Sequence, residues 1–272
     1  MSGNLQLLVD TFARAKRENR SALITGTTAG FPTVDEDITV IRAMLDNGAD
    51  IVEVGLPHSD PVLDGPIIQA ADDIALRGGV RIGDVLRTVR EAYQASRKPI
   101  LVMSYWNPIS KYGAERFARE LAEAGGAGCI LPDLPVQESA QWRESAARHD
   151  LATVFVVAPS TTSARLEEIA AAGSGFVYAS SLMGVTGVRE TVNAAASSLA
   201  RRVRATSDLP VCVGIGISDP AQAAQVADFA DGVIVASALV KAILDAPDGA
   251  AGVTAVGKLT TELRLAVSRQ AG

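Results

Sequence analysis

Eight short apolar runs recur along the chain, at residues 22–25, 51–54, 100–104, 129–131, 153–157, 176–179, 211–213 and 233–235, and they limit the fold more than any other feature. Most are nearly continuous in Val, Ile, Leu, Ala or Cys instead of alternating with polar residues. A strand of that kind is buried on both faces, the habit of parallel sheets covered by helices. Between the runs lie stretches with helical spacing, such as Ile38, Ile41 and Leu45, or Leu199 and Val203. Small residues lead from helix to strand in Asn47-Gly48-Ala49-Asp50, Gly125-Gly126-Ala127-Gly128, Ala172-Gly173-Ser174-Gly175 and Phe229-Ala230-Asp231-Gly232. A glycine at such a point allows the left-handed turn that ends the helix.

Eight strand-and-helix units in 272 residues predict an α/β fold, a (β/α)8 TIM barrel. The barrel proper is expected at about residues 20–245 of a single domain spanning 1–272, with an extra N-terminal helix over 5–19 and a C-terminal one over 253–267. The rival is an open doubly wound sheet. It calls for a GxGxxG turn opening a helix, but the first strand leads into Thr25-Gly26-Thr27-Thr28-Ala29-Gly30.

The reactive inventory is short. Two cysteines, Cys129 and Cys212, and two histidines, His58 and His149, build neither a disulfide framework nor a Cys/His zinc site, so no metal is expected. The five lysines, Lys16, Lys98, Lys111, Lys241 and Lys258, all fall outside the predicted strands, where a Schiff-base aldolase would need one. A formal net charge of −6 argues against a nucleic-acid partner, which requires a basic face. The longest uncharged stretch, residues 169–188, is broken by four glycines and does not read as a membrane helix, and residues 5–9 are too short for a signal sequence. A cytoplasmic enzyme is expected.

In a barrel of this kind the site is built at the C-terminal ends of the strands. Glu53 stands inside the apolar run Ile51-Val52-Glu53-Val54-Gly55. A buried carboxylate either finds a partner or has its pKa raised into the range useful for proton transfer. The following loop, Pro57-His58-Ser59-Asp60-Pro61-Val62-Leu63-Asp64-Gly65-Pro66, offers Asp64 as a second carboxylate and Asp60 as a third, each equally readable as a turn or helix cap. Late in the chain, Gly184-Val185-Thr186-Gly187, Gly214-Ile215-Gly216-Ile217-Ser218 and Ala236-Ser237 follow successive strands, an arrangement suited to holding a phosphate on backbone amides. Together these residues predict metal-free proton transfer on a phosphorylated small molecule.

The segment from Gly48 to Pro61, continued through Asp64-Gly65-Pro66-Ile67-Ile68-Gln69, closely resembles the signature of the tryptophan synthase α subunit family. Met103-Ser104-Tyr105-Trp106-Asn107-Pro108, Pro132-Asp133-Leu134-Pro135 and the glycine turns match it in the same order, across about residues 20–245. The resemblance implies retro-aldol cleavage of indole-3-glycerol phosphate to indole and glyceraldehyde 3-phosphate, without a cofactor in this chain. It makes Glu53 the general acid and base, Asp64 the acceptor of the indole N–H proton, and Tyr178 an active-site tyrosine. It places the phosphate on Gly187, Gly216, Ala236 and Ser237, the indole among Met103, Ile130 and Ile234, and Thr186 as the residue closing onto Asp64. It also implies an α2β2 complex with a pyridoxal-phosphate β subunit, met through loops around Pro57, His58, Asp60 and Asn107. A stand-alone indole-producing lyase and a weakly catalytic activator of the β subunit are the alternatives. Departures from common family usage occur at Thr25-Gly26-Thr27-Thr28, at Leu182 and at Ala236, where a glycine often precedes the serine.

Overall fold

The computed structural model describes residues 3–180, 189–214 and 216–269. In chain order its elements are α1 (Asn4–Arg17), β1 (Ala22–Thr28), α2 (Val34–Asp46), β2 (Ile51–Gly55), α3 (Pro66–Arg77), α4 (Ile82–Ser96), β3 (Ile100–Met103), α5 (Trp106–Tyr112), α6 (Ala114–Glu123) and β4 (Gly128–Ile130). A 3-10 turn (Val136–Glu138) follows, then α7 (Ala140–Arg148), β5 (Ala152–Val154), β6 (Val156–Val157), α8 (Ser163–Ala172), β7 (Val177–Ser180), α9 (Arg189–Arg204), β8 (Val211–Gly214), α10 (Pro220–Ala227), β9 (Gly232–Val235), α11 (Ser237–Leu244) and α12 (Gly249–Ala266).

The strands run parallel in the order β5-β4-β3-β2-β1-β9-β8-β7-β6. Only Phe155 separates β5 from β6. The first pairs with β4 and the second with β7, so one short stretch of chain closes the barrel. The run expected as one strand over 153–157 is therefore two. Strands in a barrel are tilted, and this one leaves one neighbour before it finishes with the other.

Side chains alternate between two cores. Leu23, Val52, Val54, Ile100 and Val102 point outward into the layer under the helices, while Ala22, Ile24, Ile51, Leu101, Ile130, Cys212 and Ile234 fill the barrel. Burial on both faces is why the strands read as continuous apolar runs. The lead-in glycines are mixed: Gly48, Gly125, Gly128 and Gly175 have positive φ, whereas Gly173 is extended at φ −86°.

The two ends of the barrel are not equivalent. Leu8, Phe12 and Ala15 of α1 belong to the interior core, and the Phe12 ring lies 5.7 Å from that of Phe176 beneath β7. Nearby, Arg20 and Asp50 form a buried bidentate pair at 2.5 and 2.8 Å, and Asp50 also accepts the Leu23 amide at 2.9 Å. At the other side of the chain's path, the Ser21 amide bonds Val267 just beyond α12. With the N-terminal mouth plugged, access to the interior is left to the C-terminal ends of the strands.

Candidate active site

Glu53 is the third residue of β2, paired in register with Gly26 of β1 on one side and Leu101 of β3 on the other. Alternation aims it inward, beside Ile51 in the same strand. It is 5% exposed, and among the described residues its Oε2 has no hydrogen-bond partner. No ion pair or hydrogen bond joins the Glu53 side chain to another described residue, so of the two courses open to a buried carboxylate the raised pKa is the one observed. Burial, reinforced by the charge of Asp64, pushes its carboxyl up to about 8, so it is mostly protonated at neutral pH.

Asp64 lies on the loop between β2 and α3 and does not cap the helix, since the N-cap of α3 is Gly65, without a side-chain bond. Its Oδ2 instead accepts the Tyr105 hydroxyl at 2.8 Å, and the Tyr105 oxygen accepts the Leu63 amide at 2.9 Å. Burial raises the Asp64 carboxyl, while the Tyr105 hydrogen bond and the nearby His58 pull it down. Two carboxyls thus face one mouth in different environments: one buried without a partner, the other half-buried and hydrogen-bonded.

Tyr178 is the second of four residues in β7, and its buried ring joins the interior core. Burial, with the charges of Glu53 and Asp64 adding to it, holds its hydroxyl well above the usual range and therefore neutral. Ile130 and Ile234 are buried in the same core, and Met103 lies partly buried against it.

On the far side of the mouth, Gly216 has φ +83°, a conformation that favours glycine. Ala236 caps α11 and Ser237 opens it, both half-buried. The first amides of a helix have no intrahelical acceptor and point at any anion placed there. Gly187 and Thr186 lie outside the described residues, as does Leu182.

The remaining loop residues separate. Pro57 is buried, His58 is half-buried with its ring stacked on Tyr105 at 4.8 Å, and Asp60 is exposed and accepts the Ser59 hydroxyl at 2.8 Å. Asn107, expected on a loop, is exposed on α5, whose first amide, that of Trp106, is held by both oxygens of Asp133 at 2.9 and 3.1 Å. Such an acid at a helix N-terminus replaces the missing turn and lets the helix form at once after the strand. Among the described residues no group of three or more His, Cys, Asp or Glu side chains is arranged to hold a metal ion, and no helix is long and apolar enough to cross a membrane.

Two residues with a part here carried no role in the sequence reading. Tyr105 was visible only as a motif member. Asp72 had a signal, an acid on the same buried face of α3 as Ala71 and Ala75.

A family model described as tryptophan synthase alpha chain matches residues 12–267. This chain belongs to the tryptophan synthase alpha chain family. The tryptophan synthase alpha chain of Streptomyces coelicolor is 70% identical over 271 residues, covering 100% of both chains. That of Streptomyces avermitilis is 71% identical over 258 residues, covering 95% of this chain and 93% of its own. Among solved structures, Mycobacterium tuberculosis tryptophan synthase in space group F222 shares 45% identity at a TM-score of 0.89, covering 96% of this chain and 98% of that one. The tryptophan synthase alpha chain fold and the carboxylate-lined mouth therefore occur together here.

Proposed function

We propose that Glu53 and Asp64 move the protons, with Tyr178 beside them, in the reaction of the tryptophan synthase alpha chain. The chain is a carbon–carbon lyase of tryptophan biosynthesis that cleaves indole-3-glycerol phosphate to indole and glyceraldehyde 3-phosphate. The observation that carries the assignment is Glu53: buried, without a partner at Oε2, and still protonated near neutral pH.

An indole carbon is a poor leaving group until it is protonated. Neutral Glu53 donates a proton to the ring carbon bearing the side chain, while Asp64, as carboxylate, takes the ring N–H proton, giving the indolenine form. Glu53, now ionised, removes the proton of the adjacent side-chain hydroxyl. The carbon–carbon bond then breaks, its electron pair returns to the ring, the oxygen becomes the aldehyde, and Asp64 returns its proton to nitrogen. Two carboxyls held in different protonation states are what this sequence requires. Every proton is supplied and removed by the pair, so the reading needs no cofactor in this chain.

The phosphate rests on the amides at the start of α11 and on Gly216, with the ring among Met103, Ile130 and Ile234. The enzyme works with a tryptophan synthase β subunit, which receives the indole and carries the pyridoxal phosphate, in an α2β2 assembly in the cytoplasm. The loop from Pro57 to Asp60 and the exposed Asn107 form the contact. Supporting this, the same loop exposes Val62 at 80% and Leu63 at 56%, apolar side chains that gain from being covered.

Indole release by Glu53→Gln, measured with and without the β subunit, tests the assignment. A loss of about a thousandfold is expected, within the usual range for removing a general acid and base. Parental activity in that variant overturns it.

A further inference from the structure

Asp72 sits on the inward face of α3 and is 5% exposed, yet the reaction gives it nothing to do. Its two oxygens hold two segments far apart in the chain. Oδ1 accepts the Thr28 hydroxyl at 3.1 Å, at the end of β1, and Oδ2 accepts the His58 amide at 3.4 Å, at the start of the loop after β2. Burial and the charge of Asp64 push its carboxyl up to about 7, against the pull of those two hydrogen bonds. Two donors converging on one buried group call for a side chain that accepts at both oxygens, which a carboxylate does.

The loop runs on from His58 to Asp64, where the second fastening lies. There Tyr105 donates to Asp64, accepts the Leu63 amide and stacks on the His58 ring. The segment is held at one end to β1 through Asp72 and at the other to the end of β3 through Tyr105, with Val62 and Leu63 exposed between.

We propose that Asp72 is a positioning residue for the lyase reaction: by fastening the His58 end of the loop to Thr28, it keeps Asp64 where it meets Tyr105 and can take the indole N–H proton. This rests on the assignment of that proton to Asp64. Without Asp72 the loop samples positions in which Asp64 is out of reach, and turnover falls with the fraction of molecules correctly arranged. Among the described residues no hydrogen bond joins this loop to Ala236 or Ser237 at the start of α11, so substrate binding is expected to be largely kept.

The test is steady-state indole release from indole-3-glycerol phosphate by the full chain with its β subunit. Asp72→Ala is expected to lower kcat about tenfold while KM stays within about twofold, the size of effect a lost buried hydrogen bond produces. Asp72→Asn should recover to within about threefold of the parent, because its carbonyl accepts one donor and the Thr28 hydroxyl can turn to accept from its amide. Thr28→Val, which removes a single hydroxyl, should fall between them, and it decides the matter if Asp72→Ala does not fold. Parental kcat in Thr28→Val and Asp72→Ala, a change confined to KM, or an Asp72→Asn as impaired as Asp72→Ala overturns the proposal. Asp64→Asn measured alongside separates the two ideas: full activity there removes the proton assignment on which the proposal rests, whereas an inactive Asp64→Asn with unimpaired Asp72 and Thr28 variants removes only the positioning role.

Discussion

The Tyr105 hydroxyl donates to Asp64 Oδ2 across 2.8 Å, and that hydrogen bond opposes the rise that burial imposes on the Asp64 carboxyl. The two residues come from different loops at the same mouth. The bond favours the ionised form, which is the form able to accept a proton from the indole nitrogen.

Tyr105→Phe removes this bond and leaves Asp64 with burial less opposed. The Asp64 carboxyl then rises, so the acidic limb of the kcat profile moves to higher pH, and kcat at neutral pH falls several-fold. A pH–rate profile of the variant checks this. An unmoved acidic limb would show that Tyr105 does not tune Asp64.

Buried carboxyls also set how stability responds to pH. Glu53 rises from 4.5 to about 8, Asp37 from 3.8 to about 8, and Asp72 from 3.8 to about 7, each chiefly through burial. Below the unfolded values both states hold these protons, and stability is highest. Between the unfolded and folded values only the native state keeps them, so stability falls as pH rises, by about 1.4 kcal/mol per pH unit for each group. Glu53→Gln never ionises. Its melting temperature should gain on the parent from about pH 5 to pH 8 and then run parallel, apart from a constant offset. Calorimetry across that range decides it, and a gap that stays constant with pH refutes the assignment of the raised value to Glu53.

Gly214 gives Tyr178 its place. A Cβ at Gly214 would stand 2.4 Å from the Tyr178 hydroxyl and 3.0 Å from the Ile234 Cβ. Gly214→Ala must push the tyrosine ring out of position, and about a tenfold loss of kcat is expected. Shrinking the ring by Tyr178→Leu in the Gly214→Ala background should restore the melting temperature without restoring activity. A Gly214→Ala enzyme with parental kinetics would mean that Tyr178 has no positional role.

Gly26 lies between Glu53 and the start of α11. A Cβ there would meet the Ala236 Cβ at 2.8 Å, while Gly26 pairs in register with Glu53. Gly26→Ala should displace the start of α11 and raise KM for the phosphorylated substrate several-fold. Ala236→Gly in the same chain removes the clashing methyl and should bring KM back. The double-mutant cycle measures this coupling, and additive effects of the two changes would refute it.

Strand positions were legible in the sequence because each strand is buried on both faces, and that burial is written locally as a continuous apolar run. The expected ends differed from the observed ones by a few residues, as in β1, which extends to Thr28. Glu53 was legible for the same reason, as one charge in an apolar run.

The hydrogen-bond partners were not legible. Asp60, Asp64 and Asp72 look alike as acids along one segment, yet the first is exposed, the second meets Tyr105 and the third meets Thr28. Those partners lie 41 and 44 residues away along the chain. The division of one expected strand into β5 and β6 was equally hidden, since it depends on the tilt of the strands in the closed barrel. The sequence alone determined the parallel barrel and the buried acid, because burial of apolar runs is a local property. Only the tertiary structure decided which carboxylates stand together and in what protonation state, because desolvation and hydrogen bonding are set by neighbours from distant parts of the chain.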